Sequence, residues 1–119
     1  MNSFDETNKL IIEFLGYEFY KGYYIHPDSE KPSEMLWLPD LHYHDDWEWL
    51  MNVVGKIEYE HGFLIRIEGF VCEITSSSNE NPRKKPFQIK KHSSTKMLAT
   101  YEAVVEFIKW YNKENIKEV

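Results

Sequence analysis

The sequence predicts an α+β fold: a layered sandwich of a mostly antiparallel sheet with three amphipathic helices. Two observations predict it. Three stretches repeat apolar residues at helical spacing, and the alternating runs between them are joined by turns of a few residues. The order is helix, strands, helix, strands, helix, without the strict strand–helix alternation that parallel crossovers need. Residues 1–119 make one domain, since domains take roughly 100–150 residues. Hydrophobic residues are 42 % and aromatic residues 16 % of the chain. Each aromatic can bury about 150–250 Å², so the core needs neither disulfide nor metal to form.

The first helix is predicted over Asp5–Leu15, with Asp5 or Thr7 as its cap. Leu10, Ile11, Phe14 and Leu15 fall on one face, and Gly16 supplies a stop. Tyr17–Tyr20 and Tyr23–Ile25 flank Lys21–Gly22 and read as a hairpin. His26–Glu34, with Pro27 and Pro32, is a loop. Met35–Leu38 is a third short strand, ended by Pro39–Asp40.

The second helix starts at Asp45, where Glu48 three residues on completes a capping box. Its predicted buried stripe is Trp47, Leu50, Met51, Val54 and Ile57, running to about Tyr59. Gly55 inside it costs roughly 1 kcal/mol relative to alanine, which a close packing contact or chance would explain.

His61–Gly62 breaks the helical pattern. Phe63, Ile65 and Ile67 then alternate with polar residues, Gly69 turns the chain, and Phe70, Cys72 and Ile74 alternate in the next strand. Thr75–Pro86 is an exposed loop, and Phe87–Lys91 a final strand. Ser94 or Thr95 caps the longest helix, to about Asn112, with Leu98, Tyr101, Val104, Val105, Ile108 and Tyr111 as its stripe.

The chain has 14 basic and 20 acidic residues, a net charge of −6, which disfavours a generally basic nucleic-acid binder. Charge is uneven. Residues 1–62 hold 4 basic and 13 acidic residues, and residues 63–119 hold 10 and 7. Such asymmetry marks a two-faced surface or a self-complementary oligomer, unless the halves interleave in space. No apolar run reaches the ~18 residues of a membrane span. The first residues lack the basic and apolar regions of a secretory signal. A cytoplasmic protein is expected, and the single cysteine, Cys72, agrees with a reducing compartment.

Tyr43–Met51 reads Tyr-His-Asp-Asp-Trp-Glu-Trp-Leu-Met and is followed by Val53, Val54, Lys56, Ile57 and Glu58. With the opening Asn8–Gly16 and the closing Tyr101–Asn112, this pattern resembles the phage alpha-beta-alpha sandwich domain family of small phage and prophage proteins. The resemblance implies a sheet layered between helices. It implies no particular activity. Where the family often has proline shortly after Leu-Met, this chain has Asn52, which implies a less bent helix.

Three constellations are candidates for function. His42 and His44 are two residues apart and, in extended chain, point the same way. With Asp46 they offer the nitrogen and oxygen donors of a zinc or iron site, which His26 or His61 would complete. The competing reading makes Asp45 a cap, Asp46 a first-turn acid and His44 a residue that packs or hydrogen-bonds beside the helix start. Arg83, Lys84, Lys85, Lys90 and Lys91 lie in a stretch from Pro82 to Lys96 without an acid, suited to phosphate contact, with Phe87 to stack on a base. Tyr43 and Trp49 are binding candidates, Trp49 because it lies off the predicted stripe, and Trp110 shares the interface reading. Cys72 lies mid-strand, the serines 76–78 lack a glycine-framed elbow, and the five glycines form no phosphate loop. The reading that follows is a non-enzymatic accessory protein of phage or prophage type, without cofactor, acting as a homo-oligomer or with a protein partner or small ligand. The alternatives are a small metal-dependent enzyme using His42, His44 and Asp46, and a nucleic-acid-contacting module using residues 83–96.

Overall fold

The computed structural model describes residues 4–25, 36–76 and 88–116. The expected loop at His26–Glu34 lies outside them, as does that at Thr75–Pro86 except for Thr75 and Ser76, which continue a strand instead; Met35, Phe87 and the candidates His26, Arg83, Lys84 and Lys85 also lie outside. Helix α1 spans Asp5–Phe14. Neither Asp5 nor Thr7 caps it. Phe4 holds the cap position without a side-chain bond, and Thr7 Oγ1 donates back to the Phe4 carbonyl at 3.1 Å. Strands β1 (Glu18–Tyr20) and β2 (Tyr23–Ile25) pair antiparallel around Lys21 (φ 50°) and Gly22 (φ 89°). Two positive φ values in a two-residue turn match the twist of a hairpin.

Of the expected strand at Met35–Leu38, the described residues show one bridge. Tyr24 N–H donates to Leu36 O at 2.7 Å and Leu36 N–H returns to Tyr24 O at 2.9 Å. A single 3₁₀ turn, Leu38–Asp40, follows, because Pro39 fixes its own φ and has no N–H for a ladder.

Helix α2 spans Trp47–His61 without interruption through Asn52. Its cap is Asp46, one residue later than Asp45, and its carboxylate accepts from Glu48 N–H (2.9 Å) and Trp49 N–H (3.4 Å). The buried stripe is also rotated from the expected one. Leu50, Val53, Val54 and Ile57 are buried, whereas Trp47 and Met51 are 37 % and 36 % exposed. Gly62, at φ 72°, ends the helix in the left-handed conformation that glycine adopts without strain.

The larger sheet has the order β3–β4–β5, all antiparallel, from Phe63–Glu68, Val71–Ser76 and Gln88–His92. Gly69 (φ 58°) opens a two-residue turn that pairs Glu68 with Val71. Phe70 stands in that turn and is exposed, outside the alternation expected of it. The inner face presents Phe63, Ile65, Ile67, Cys72, Ile74 and Ile89. The outer face presents Leu64, Arg66, Glu68, Glu73 and Lys90, and no described element covers it.

Helix α3 (Lys96–Ile116) lies on the inner face, packs against α1 on its other side and also meets α2. Thr95 Oγ1 caps it, accepting from Leu98 N–H at 3.0 Å. α3 therefore lies between the sheet and α1, while α2 meets both β3 and α3. Among the described residues all three helices fall on one face of the sheet, where the family resemblance implies helices on both. Sandwiched this way, α3 is buried well beyond one stripe. Ala99, Thr100, Ala103, Val104, Phe107 and Ile108 are all fully enclosed. Burying a side chain the size of Phe107 contributes about 1.5–3 kcal/mol.

Candidate functional site

Along the flank of α2, Glu48, Asn52, Lys56 and Glu60 recur every four residues and so form one ridge. The ridge borders an open groove of about 650 Å³, closed on the far side by Leu15, Tyr17 and Leu36. Tyr43 and Trp49 lie between, with ring centroids 5.1 Å apart in a T-shaped contact. Tyr43 is buried, and loss of hydration pushes its phenol up, reinforced by the neighbouring Tyr17. Trp49 is half-buried and also meets the exposed His42 ring edge-on at 5.5 Å. Lys56 Nζ bonds Glu60 Oε2 at 2.9 Å and lies over the Phe14 ring. The hydrogen bond and charge of Lys56 hold the Glu60 carboxyl below its usual range. The groove thus joins an aromatic floor to a rim carrying both signs of charge and an amide.

The chain from His42 to Asp45 turns, so the two histidines are not aligned as in an extended strand. Both reach Asp45. His42 Nδ1 is 3.1 Å from Asp45 Oδ1, and His44 Nε2 is 3.6 Å from Asp45 Oδ2. Asp46 does not join them, because Oδ1 of its carboxylate accepts the first amides of α2. Among the described residues no three His, Cys, Asp or Glu side chains gather as metal ligands. His61 stands apart, against Phe14, Phe107 and Tyr111.

Behind His44 lies a polar network that sequence reasoning missed. Asn8 is 1 % exposed. Its Nδ2 donates to Leu41 O at 3.3 Å and to His44 Nδ1 at 3.1 Å, and its Oδ1 accepts from the Tyr101 hydroxyl at 2.9 Å. Tyr101 also bonds Thr7 Oγ1. These partners orient the Asn8 amide, so His44 Nδ1 is the acceptor and Nε2 carries the proton toward Asp45. Phe4 stacks on the His44 ring at 4.4 Å. A polar residue at position 8 of an otherwise apolar helix face was the available signal.

The basic candidates do not form one surface where the structure describes them. Lys90 stands on the outer sheet face opposite Glu73, while Lys91 is on the inner side, 3.9 Å from Glu106. Adjacent strand residues point to opposite faces. Trp110 packs partly buried against Phe63 and Phe107. Cys72 is fully buried, and burial pushes its thiol up to about 11, which suppresses the reactive thiolate. No family model, no curated protein and no solved structure matches the chain.

Proposed function

We propose that the chain is a binding module whose groove along α2 takes a segment of a partner protein, with no bond chemistry of its own. The observation that carries this reading is the Tyr43–Trp49 floor set beneath the Glu48–Asn52–Lys56–Glu60 ridge. Aromatic surface supplies binding energy at small entropic cost, and a rim of acids, amide and ammonium can bond a peptide backbone and its charges. Exposed aromatic surface also occurs on the hairpin and just after its bridge to Leu36, where Phe19, Tyr20 and Trp37 are 64 %, 58 % and 50 % exposed. Tyr43 and Trp49 both come from the stretch that resembles the phage alpha-beta-alpha sandwich motif. That supports an accessory role in a phage or prophage.

The test is selection of peptides from a displayed library against the whole immobilised protein. Enriched peptides should share an apolar anchor and should change tryptophan fluorescence on binding. Lys56→Glu and Asn52→Arg, both on the helix surface, should weaken them about tenfold or more, the scale of one lost anchor contact. Failure to enrich any peptide, or variants that bind the peptides as tightly as the wild type, overturns the reading.

A further inference from the structure

Strand β3 is an edge of the larger sheet, and along its outer face the exposed residues run Leu64, Arg66, Glu68, with Phe70 in the turn beyond. Leu64 is 58 % and Phe70 57 % exposed, and the Arg66 and Glu68 side chains are 72 % and 73 % exposed. This row reads apolar, positive, negative, apolar. Reversed and set against itself, it matches apolar to apolar and each charge to its opposite.

We infer that a second copy of this chain pairs antiparallel along β3, centred on Ile67, to make one six-stranded sheet. Hydrogen-bond phase and charge choose the register together. The two-residue turn makes Glu68 and Val71 the closing bonded pair. The backbone groups of Leu64, Arg66 and Glu68 therefore face β4, and those of Ile65 and Ile67 face the free edge. Among the described residues, no backbone bond from another element reaches Ile65 or Ile67. Pairing through those groups requires odd positions to oppose odd positions and even to oppose even.

Centring on Ile65 sets Arg66 against Leu64, and matching Ile65 to Ile67 sets Arg66 against its own copy. Centring on Ile67 sets Arg66 opposite Glu68 twice, in the non-bonded pairs where side chains approach most closely. The same register brings each exposed Leu64 toward the Gly69–Phe70 turn of the other copy, where Phe70 is exposed. The opposite edge has no such pattern. The outer residues of β5 are Gln88, Lys90 and His92, without an acid, so self-pairing there sets cations together.

This inference rests on the reading of the chain as a non-enzymatic association module, and its test leaves the α2 groove untouched. Sedimentation equilibrium and native mass spectrometry of the full chain should show a dimer. Arg66→Glu alone and Glu68→Arg alone each oppose like charges at both pairs, and should raise the dissociation constant at least about tenfold. The double exchange, Arg66→Glu with Glu68→Arg, restores both pairs and should restore the dimer. Circular dichroism confirms that each variant is folded, which these exposed positions permit. A wild-type monomer at every soluble concentration overturns the proposal. So does a dimer indifferent to the single reversals, or one that the double exchange fails to rescue. Lys56→Glu should leave the dimer intact, so loss of peptide binding and loss of dimer report on separate claims.

Discussion

The Tyr101 hydroxyl donates to Asn8 Oδ1 at 2.9 Å, joining side chains 93 residues apart inside the core. Burial pushes the Tyr101 phenol up to about 12, with its bond to Thr7 pulling the other way. The pair clips α3 to α1, and through the second arm of Asn8 to the 41–44 turn. Tyr101→Phe leaves Asn8 Oδ1 enclosed without a donor. An unsatisfied buried acceptor costs about 1–3 kcal/mol, and urea unfolding should show a loss of that size. A loss below about half a kcal/mol, the usual range of neutral surface changes, would remove the network from the stabilising interactions.

Replacing Gly55 by alanine should stabilise the fold by roughly 1 kcal/mol, the helix-propensity difference between the two residues. Of the two reasons for a glycine there, a close packing contact or chance, the contact is absent. A Cβ built there meets nothing within 4 Å. Thermal unfolding of Gly55→Ala should shift upward; a downward shift would reveal a neighbour that the fold does not show.

The two adjacent aspartates should separate on mutation. Asp46→Ala removes the cap of α2, worth about 0.5–2 kcal/mol. Asp45→Ala removes a half-exposed carboxylate between two histidines and should cost less, as exposed ion pairs contribute about 0–1 kcal/mol. Denaturant midpoints of the two variants decide the matter, and the reverse ranking would return the cap to Asp45.

Acid should destabilise the fold through His61. Burial first, and the Lys56 charge second, hold its imidazole below the ordinary 6.5, with Glu60 opposing. The unfolded chain then binds more protons than the folded chain from about 6.5 down to the lowered value. The contribution is fully present above that window and disappears as pH falls through it. His61→Phe keeps a ring against Phe14, Phe107 and Tyr111 and removes the proton site. Stability of the wild type should fall more steeply than that of the variant between about pH 7 and pH 5. Parallel slopes would exclude His61 as the group responsible.

Local chemistry was legible in the sequence wherever one segment decided it. The Lys21–Gly22 and Gly69 turns, the alternation of β3 and the Thr95 cap all follow from neighbours within a few residues. Errors arose where a second segment chose. Trp47 and Met51 fit a helical stripe as well as Val53 does, but α3 and β3 meet the face carrying Val53. Phe107 lay outside the expected stripe because a helix enclosed on two sides has no single apolar face. The groove was half legible. Tyr43 and Trp49 stood out by residue type, while Asn52 and Lys56 acquire meaning only once Leu15, Tyr17 and Leu36 are brought across from α1 and the small hairpin.

The central place of α3 has a kinetic consequence. The sheet, α1 and α2 all pack on it, yet it follows every other described element. During synthesis, α1 through β5 leave the ribosome before the surface that unites them exists. Ile11, Ile12, Val53 and Ile74 must wait exposed until residues 99–108 emerge. Contacts this distant in sequence slow folding, since loop closure precedes any reward. The interval before α3 arrives is when the nascent chain most needs a chaperone, and a chain cut before Lys96 loses the centre of its core.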